Sequence, residues 1–341
     1  WNLVGLPLEV EYPDYLTIFP DATENTLFFF DDAYTPDSIM VHGEGYWLRF
    51  DTTGTTTIIG NPIDELTISL SADWNLVSGL HEDLSVYSIN DPDSTIVPNT
   101  LFGFSDAYFL TEQLVPGKGY WLRAFQDGEV IIAGDGLARV TPQDFSLNDK
   151  ANTLTINGMD LYFGVEMSAR GKLSYSLPPK PPTGAFDIRF KGDTRVTKES
   201  AEIEVMSPSE TITIAYNVII DAGEHMNWVL TSENGKDYIL EGSREITVPS
   251  SERFILNKES VIPVTFALHQ NFPNPFNPIT TLRYDLPSDA FVTLSIYDML
   301  GREITQLVNT TQQAGFKSVQ WDATDSMGRP VSAGVYLYQI Q

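Results

Sequence analysis

The sequence predicts an all-β protein: tandem small β domains followed by two β-sandwich domains. Three observations predict it. Apolar and polar residues alternate with period two over much of the chain, the front carries an internal repeat, and Gly, Pro and Asn/Asp clusters interrupt the pattern at strand-length spacing. With 42% hydrophobic and 19% charged residues over 341 positions, the composition is that of several packed cores rather than a disordered chain.

The repeat organises residues 1–139. Trp1-Asn2-Leu3-Val4 returns as Trp74-Asn75-Leu76-Val77, an offset of 73. Phe28–Tyr34 returns as Phe102–Tyr108, and Gly43-Glu44-Gly45-Tyr46-Trp47-Leu48-Arg49 as Gly117-Lys118-Gly119-Tyr120-Trp121-Leu122-Arg123, both at an offset of 74. Residues 1–73 and 74–139 are therefore read as two β units. Thr56–Ile59 and Glu129–Ile132 each end at or near a Gly, as strands running into turns do. The Gly-x-Gly before each Tyr-Trp precedes a strand, not a helix, and lacks a third Gly, so it reads as a tight turn rather than a phosphate loop.

Tyr46, Trp47, Tyr120 and Trp121 carry two readings: core anchors of equivalent domains, or an aromatic platform stacking on sugar rings with help from Arg49 and Arg123. Neighbours on a strand face opposite sides, so one member of each Tyr-Trp pair is expected to be buried and the other free. The alternating run Leu66-Thr67-Ile68-Ser69-Leu70 leads into Trp74, whereas no such strand precedes Trp1.

Residues 140–262 read as a β-sandwich. Phe186, Ile188 and Phe190 are expected on the core face, with Asp187, Arg189 and Lys191 on the solvent face. Glu202–Val205 and Ile212–Tyr216 follow the same rule. Asn234-Gly235, between two apolar runs, is the favoured pair for a type I′ hairpin turn. Pro178-Pro179-Lys180-Pro181-Pro182 reads as a stiff surface connection.

Residues 263–341 form the last domain. Its opening, Asn271-Phe272-Pro273-Asn274-Pro275-Phe276-Asn277-Pro278, is held extended by its prolines, with Phe272 and Phe276 expected to pin it to a sandwich face. Val292, Leu294 and Ile296 alternate with Thr293, Ser295 and Tyr297. A turn around Gly301 follows, and the chain closes on Gly334-Val335-Tyr336-Leu337-Tyr338.

These residues, from about Leu268 to Gln341, resemble the type A C-terminal sorting domain of proteins secreted by the type IX system of Bacteroidetes-like bacteria. That module is similar to the immunoglobulin-like domain of flagellar hook-capping proteins. Asn271, Pro273, Asn274, Pro275, Phe276, Asn277, Pro278, Gly301, Gly334 and Tyr336 are the positions that carry the resemblance. It implies an immunoglobulin-like fold, the type IX machinery as a partner, and a secreted, extracellular or cell-surface location. It implies no catalytic activity, because such a module addresses many cargos. Family members continue past Tyr338-Gln339-Ile340 into a basic turn and a final strand. More loosely, the Trp-Asn-Leu-Val and Gly-Tyr-Trp-Leu repeats resemble segments found upstream of such domains.

Composition narrows the chemistry. No cysteine is present, which removes disulfides, thiolate nucleophiles and Cys-ligated zinc. Residues 1–139 hold 22 acidic and 4 basic residues, a balance of −18 that repels nucleic acid and anionic membranes. Apolar runs are too short to span a membrane. The chain opens at Trp1 without an initiator Met or a basic n-region, and any signal peptide is expected to have been removed. His42, His81, His225 and His269 are scattered, with no His-Glu-x-x-His and no Gly-x-Ser-x-Gly elbow. Asp91, Asp93, Asp322 and Asp325 are weak calcium candidates whose spacing does not follow the EF-hand, and Asx turns are the competing reading. No other cofactor is expected, and the acids sit in turns or on polar faces rather than as a carboxylate pair for glycoside cleavage.

The sequence thus points to a non-enzymatic surface protein, structural or adhesive, joined to other copies head to tail by strand exchange into a fibre. A polysaccharide-binding module and the accessory part of a larger secreted hydrolase are the alternatives.

Overall fold

The computed structural model describes residues 1–134, 147, 150–219, 226–260 and 262–341, and the chain is all-β over them. The expected boundary at 139/140 and His225 lie outside the described residues. Two compact units emerge: Trp1–Ile219 with Leu230–Asn257, and Ile220–Val229 with Lys258–Gln341. Among the described residues no helix is long and apolar enough to cross a membrane.

In the first unit the repeats form two four-stranded antiparallel sheets of the same order. One runs Asn2–Gly5, Gly45–Leu48, Phe28–Asp31, Ala33–Pro36; the other runs Asp73–Ser78, Gly119–Ala124, Phe102–Phe104, Tyr108–Leu110. The registers match as well. Leu3 lies opposite Trp47 as Leu76 lies opposite Trp121, and Phe28 opposite Trp47 as Phe102 opposite Trp121.

The repeats meet about an approximate two-fold axis. Val4 bridges to Lys118 and Glu44 to Val77. Gly5 N donates to Gly117 O at 3.2 Å, and Ser78 N donates to Gly43 O at 2.9 Å. The glycines of the two Gly-x-Gly pairs have separate tasks. Gly43 and Gly117 take φ of +84° and +76°, the turn expected from sequence. A Cβ on Gly45 would lie 2.7 Å from Val77 O, and one on Gly119 would lie 2.7 Å from Val4 O, so the second glycine permits backbones of different repeats to cross. Gly119→Ala is therefore expected to lower the thermal midpoint more than Gly117→Ala, whose added methyl meets open space. The expected losses are about 2–3 kcal/mol and about 1 kcal/mol. Thermal unfolding of the two variants checks this, and the reverse order would sink it.

Repeat 2 carries two further strand pairs, a short one between Leu84–Ser85 and Gln113–Leu114 and a longer one. Glu65–Leu70 runs antiparallel to Gly128–Ala133, with Ile68 opposite Val130 and Leu66 opposite Ile132. Repetition at an offset of 74 maps Gly128–Ala133 onto residues 54–59 of repeat 1. Among the described residues that segment has no strand partner: Thr56 is exposed, Ile58 half-buried and Ile59 87% exposed, whereas Val130 and Ile132 are buried.

The rest of this unit has a five-stranded sheet ordered Val196–Thr197, Met159–Phe163, Asn152–Ile156, Thr211–Asn217, Ser243–Pro249. In a second sheet, Asp187–Phe190 pairs with Ala201–Met206, which pairs with Arg253–Ser260. Leu154, Ile156, Leu161 and Phe163 on one sheet and Ile188, Phe190, Ile203 and Val205 on the other are buried, as alternation predicts.

Three expectations fail here. Asp187 and Arg189, assigned to solvent, are 2% and 0% exposed; only Lys191 is out. The supposed surface prolines cover that strand: Pro178 and Pro181 are buried, and Pro178 O accepts from Arg189. At Asn234-Gly235 only Gly235 has positive φ, at +78°. Gly235 N donates to Ser232 O and Ser232 N to Lys236 O, each at 2.9 Å, making a three-residue loop with glycine in the left-handed position rather than a type I′ turn.

The second unit packs two three-stranded sheets, Ala267–Leu268, Thr280–Leu286, Gly315–Trp321 and Glu303–Gln312, Ala290–Tyr297, Leu337–Ile340. Val292, Leu294 and Ile296 are buried against Leu282, Tyr284, Leu286 and Trp321. The polar face is less open than alternation suggests, because Ser295 is also buried.

Candidate functional sites

Both members of each Tyr-Trp pair are buried: Tyr46 at 0%, Trp47 at 2%, Tyr120 at 4% and Trp121 at 0%. This corrects the expectation that one of each would be free to stack on a ligand. The strands are covered on both faces. Tyr46 and Tyr120 point into the core of their own repeat, and Trp47 and Trp121 into the seam between repeats. Tyr46 Oη donates to Glu44 at 2.7 Å and accepts from Val41 N at 2.9 Å; Tyr120 Oη accepts from Val115 N at 2.9 Å. Burial, reinforced by Glu44, pushes the Tyr46 phenol well up from its ordinary range.

The seam exchanges rings across the axis. Phe30 meets Trp121 edge-on at 4.8 Å, and Phe104 meets Trp47 edge-on at 4.8 Å. Trp1 lies 6.5 Å from Trp47 as Trp74 lies 6.3 Å from Trp121. The two indoles differ in one respect. Trp121 Nε1 donates to Tyr108 Oη at 3.1 Å, and Tyr108 donates to Pro179 O at 2.8 Å, while Trp47 Nε1 makes no bond of that length among the described residues and lies beside Tyr34, the counterpart of Tyr108. Arg49 and Arg123 pair with Asp51 and Asp73, at 3.2 Å and 2.8 Å, and Arg123 also lies over the Trp74 ring, 5.7 Å from its centroid.

Beside the seam sits an ion pair that sequence reading missed. Arg189 Nε and Nη2 donate to the two carboxylate oxygens of Asp187 at 2.7 Å each, and Nη1 donates to Pro178 O at 2.8 Å and Asp193 at 2.7 Å. Burial alone would lower the guanidinium pKa, but the two carboxylates outweigh it and the pKa is raised.

The calcium candidates spend their oxygens on turns. The Asp91 carboxylate accepts from Thr95 N and Ile96 N at 2.8 and 2.9 Å. Asp322 accepts from Thr324 Oγ1 at 2.6 Å, and Asp93 is exposed. Asp325 accepts from Met327 N, Arg329 N and Arg329 Nε, and the Arg329 bonds first of all hold its carboxyl below the usual range. Among the described residues no three His, Asp or Glu side chains group as metal ligands.

In the C-terminal unit, two of the resemblance-bearing residues meet at Trp321. Phe276 and Tyr336 pack on its ring at 5.5 and 5.1 Å. Asn271 donates from Nδ2 to Thr280 Oγ1 at 2.9 Å, accepts from Asn274 at 3.2 Å, and its N–H donates to Tyr338 Oη at 3.2 Å. Pro273 O accepts from Thr280 Oγ1 at 2.9 Å. Pro273, Pro275 and Pro278 each follow a cis peptide bond, Asn277 precedes the last of them, and Gly334 sits between Ser332 and Tyr336. Phe272, expected to pin the segment, is 71% exposed; backbone bonds to Thr281 at 3.0 and 2.9 Å hold it instead. Gly301, φ +78°, completes a turn in which Asp298 accepts from Leu300 N, Arg302 N and Arg302 Nε. Asp325–Arg329, with Gly328 at φ +74°, repeats that turn.

Repeat 2 also holds a cavity of ≈ 660 Å³, walled by Val86, Ile96, Asn99, Leu101, Leu110 and Leu122. At its edge Tyr87 Oη donates to Glu112 at 3.0 Å.

Neither a curated protein nor a solved structure matches this chain. Residues 278–341 match the family model of the FlgD Ig-like domain, so the C-terminal unit contains an immunoglobulin-like domain similar to that family.

Proposed function

We propose that this is a non-enzymatic, structural or adhesive protein that the type IX machinery exports to the cell surface, where copies join by strand exchange. Export rests on the similarity of residues 278–341 to the FlgD Ig-like domain and on the Asn271–Pro278 and Gly334–Tyr338 motifs around Trp321. Assembly is carried by a single observation. Among the described residues, 54–59 have no strand partner at the position where repeat 2 pairs Gly128–Ala133 with Glu65–Leu70, and we assign the strand that such an edge accepts to another chain. The contact is head to tail, so it propagates instead of closing.

Light scattering on the concentrated full chain is expected to show species larger than a monomer, with filaments in the electron microscope. Thr57→Pro, which removes an N–H from the open edge, is expected to abolish them while the thermal midpoint stays within about 2 °C, because the residue is exposed. A monodisperse monomer for the unaltered chain would remove the assembly reading. In a host with an intact type IX system, retention of the full chain in the periplasm would remove the export reading.

A further inference from the structure

The two repeats build the same loop with different side chains. In repeat 1, Asp14 caps the turn Tyr15–Ile18 by accepting from Thr17 N at 3.1 Å, and Tyr15 N donates to Ser38 O at 3.0 Å. In repeat 2, Ser85 caps the turn Val86–Ser88 by accepting from Tyr87 N at 3.3 Å, and Val86 N donates to Glu112 O at 2.8 Å. The caps pair with equivalent residues, Asp14 with Ile39 and Ser85 with Gln113. Val86 therefore stands where Tyr15 stands.

The facing loops coincide too. Asn25 and Asn99 take φ of 59° and 61°. Thr26 Oγ1 donates to Thr23 O and Thr100 Oγ1 to Val97 O, both at 2.6 Å; these hydroxyls accept from Arg49 N and Arg123 N, both at 3.3 Å.

What differs is the filling. Tyr15 is 4% exposed, and its phenol oxygen accepts from Asn25 N at 2.7 Å. Val86 is too short to reach that far. Asn99 N–H has no partner among the described residues, and Val86 and Asn99 both line the ≈ 660 Å³ cavity. This open hollow, with Val86, Leu101 and Leu122 on its apolar side and Asp91, Thr100 and Glu112 among its polar walls, lacks beside the Asn99 N–H the ring contacts and the acceptor that Tyr15 supplies in repeat 1.

We propose that this cavity is a receptor site for a para-substituted phenol ring brought by another molecule. The ring packs on Val86, Leu101 and Leu122, and its oxygen accepts from Asn99 N–H as Tyr15 does from Asn25 N–H. The cavity exceeds the ring in volume, which leaves room for the chain on the para carbon. A free phenol and a tyrosine side chain of a peptide present the same group. The site does not depend on the assembly or export readings.

The test uses the full chain and three probes: 4-ethylphenol, ethylbenzene and N-acetyl-tyrosinamide. Methyl resonances of Val86, Leu101 and Leu122 are expected to shift with 4-ethylphenol while those of Leu27 in repeat 1 do not, and ethylbenzene, lacking the oxygen, is expected to bind about fivefold more weakly. Tighter binding of N-acetyl-tyrosinamide than of 4-ethylphenol identifies a peptide source; weaker binding identifies a free phenol. Val86→Tyr refills the seat and is expected to abolish binding and raise the thermal midpoint, with Val86→Ile as a binding-competent control. Should Val86→Tyr not fold, the comparison of the two matched probes on the unaltered chain still decides. Equal affinity for 4-ethylphenol and ethylbenzene, or undiminished binding to folded Val86→Tyr, would overturn the proposal.

Discussion

Trp121→Ala is expected to cost about 4–5 kcal/mol, and Trp47→Ala about 3–4 kcal/mol. Both indoles are almost wholly enclosed, so each truncation loses a large apolar surface and leaves a void in the seam between repeats. Each also removes an edge-to-face ring contact from the other repeat, Phe30 for Trp121 and Phe104 for Trp47. The difference lies in the hydrogen bond. Trp121 Nε1 donates to Tyr108 at 3.1 Å, whereas Trp47 Nε1 makes only a weaker contact, with Tyr34, among the described residues. That bond sets the order of the two variants, with a gap of about 1 kcal/mol. For a unit of this size the Trp121 loss corresponds to a fall of roughly 8–20 °C in thermal midpoint. Urea unfolding followed by far-ultraviolet circular dichroism measures both. An unchanged midpoint together with lost polysaccharide retention would restore the ligand-stacking reading that burial argues against.

Sequence patterning carried the fold a long way because its signals are local. Val292, Leu294 and Ile296 alternate and are buried; the repeat spacing of Tyr46-Trp47 and Tyr120-Trp121 places equivalent strands in equivalent registers. The turn at Asn234-Gly235 is a local failure; the larger ones are non-local. Period-two alternation assigns Asp187 and Arg189 to solvent because it knows only one covering layer, and here the proline segment supplies a second. Gly45 and Gly119 look like ordinary turn residues until the opposite repeat is seen to cross them. The vacated tyrosine seat escaped for a different reason: the offset falls from 74 at Asn25 and Asn99 to 71 at Tyr15 and Val86, so a fixed-offset comparison never sets those two side by side. Hydrogen bonds, unlike letters, keep the equivalence through the slip.

Asp187→Ala is expected to destabilise the first unit by about 3–5 kcal/mol, although no sequence pattern singles that residue out. Arg189 is fully enclosed and has four acceptor contacts among the described residues, two of them to the Asp187 carboxylate. Removing the carboxylate leaves a buried cation with one carbonyl and the largely exposed Asp193. Asp193→Asn, which removes the charge from a group already facing water and keeps a residue type that tolerates the left-handed φ of +55°, should cost under about 1 kcal/mol. Arg189→Met should be costly in the opposite sense, stranding the Asp187 carboxylate and the Pro178 carbonyl. The double variant Asp187→Leu with Arg189→Met removes both charges and keeps most of the volume, so it should recover most of either single loss. Chemical unfolding of the unaltered chain, Asp187→Leu, Arg189→Met and the double variant closes the thermodynamic cycle. Additive single and double losses would mean that the pair is not coupled and that the proline cover, not the ion pair, holds this face of the sandwich. Strong non-additivity would mean that the guanidinium fixes Pro178 over the strand. The same segment presents the Pro179 carbonyl to Tyr108, and through it to Trp121, so weakening the ion pair should also loosen the aromatic seam.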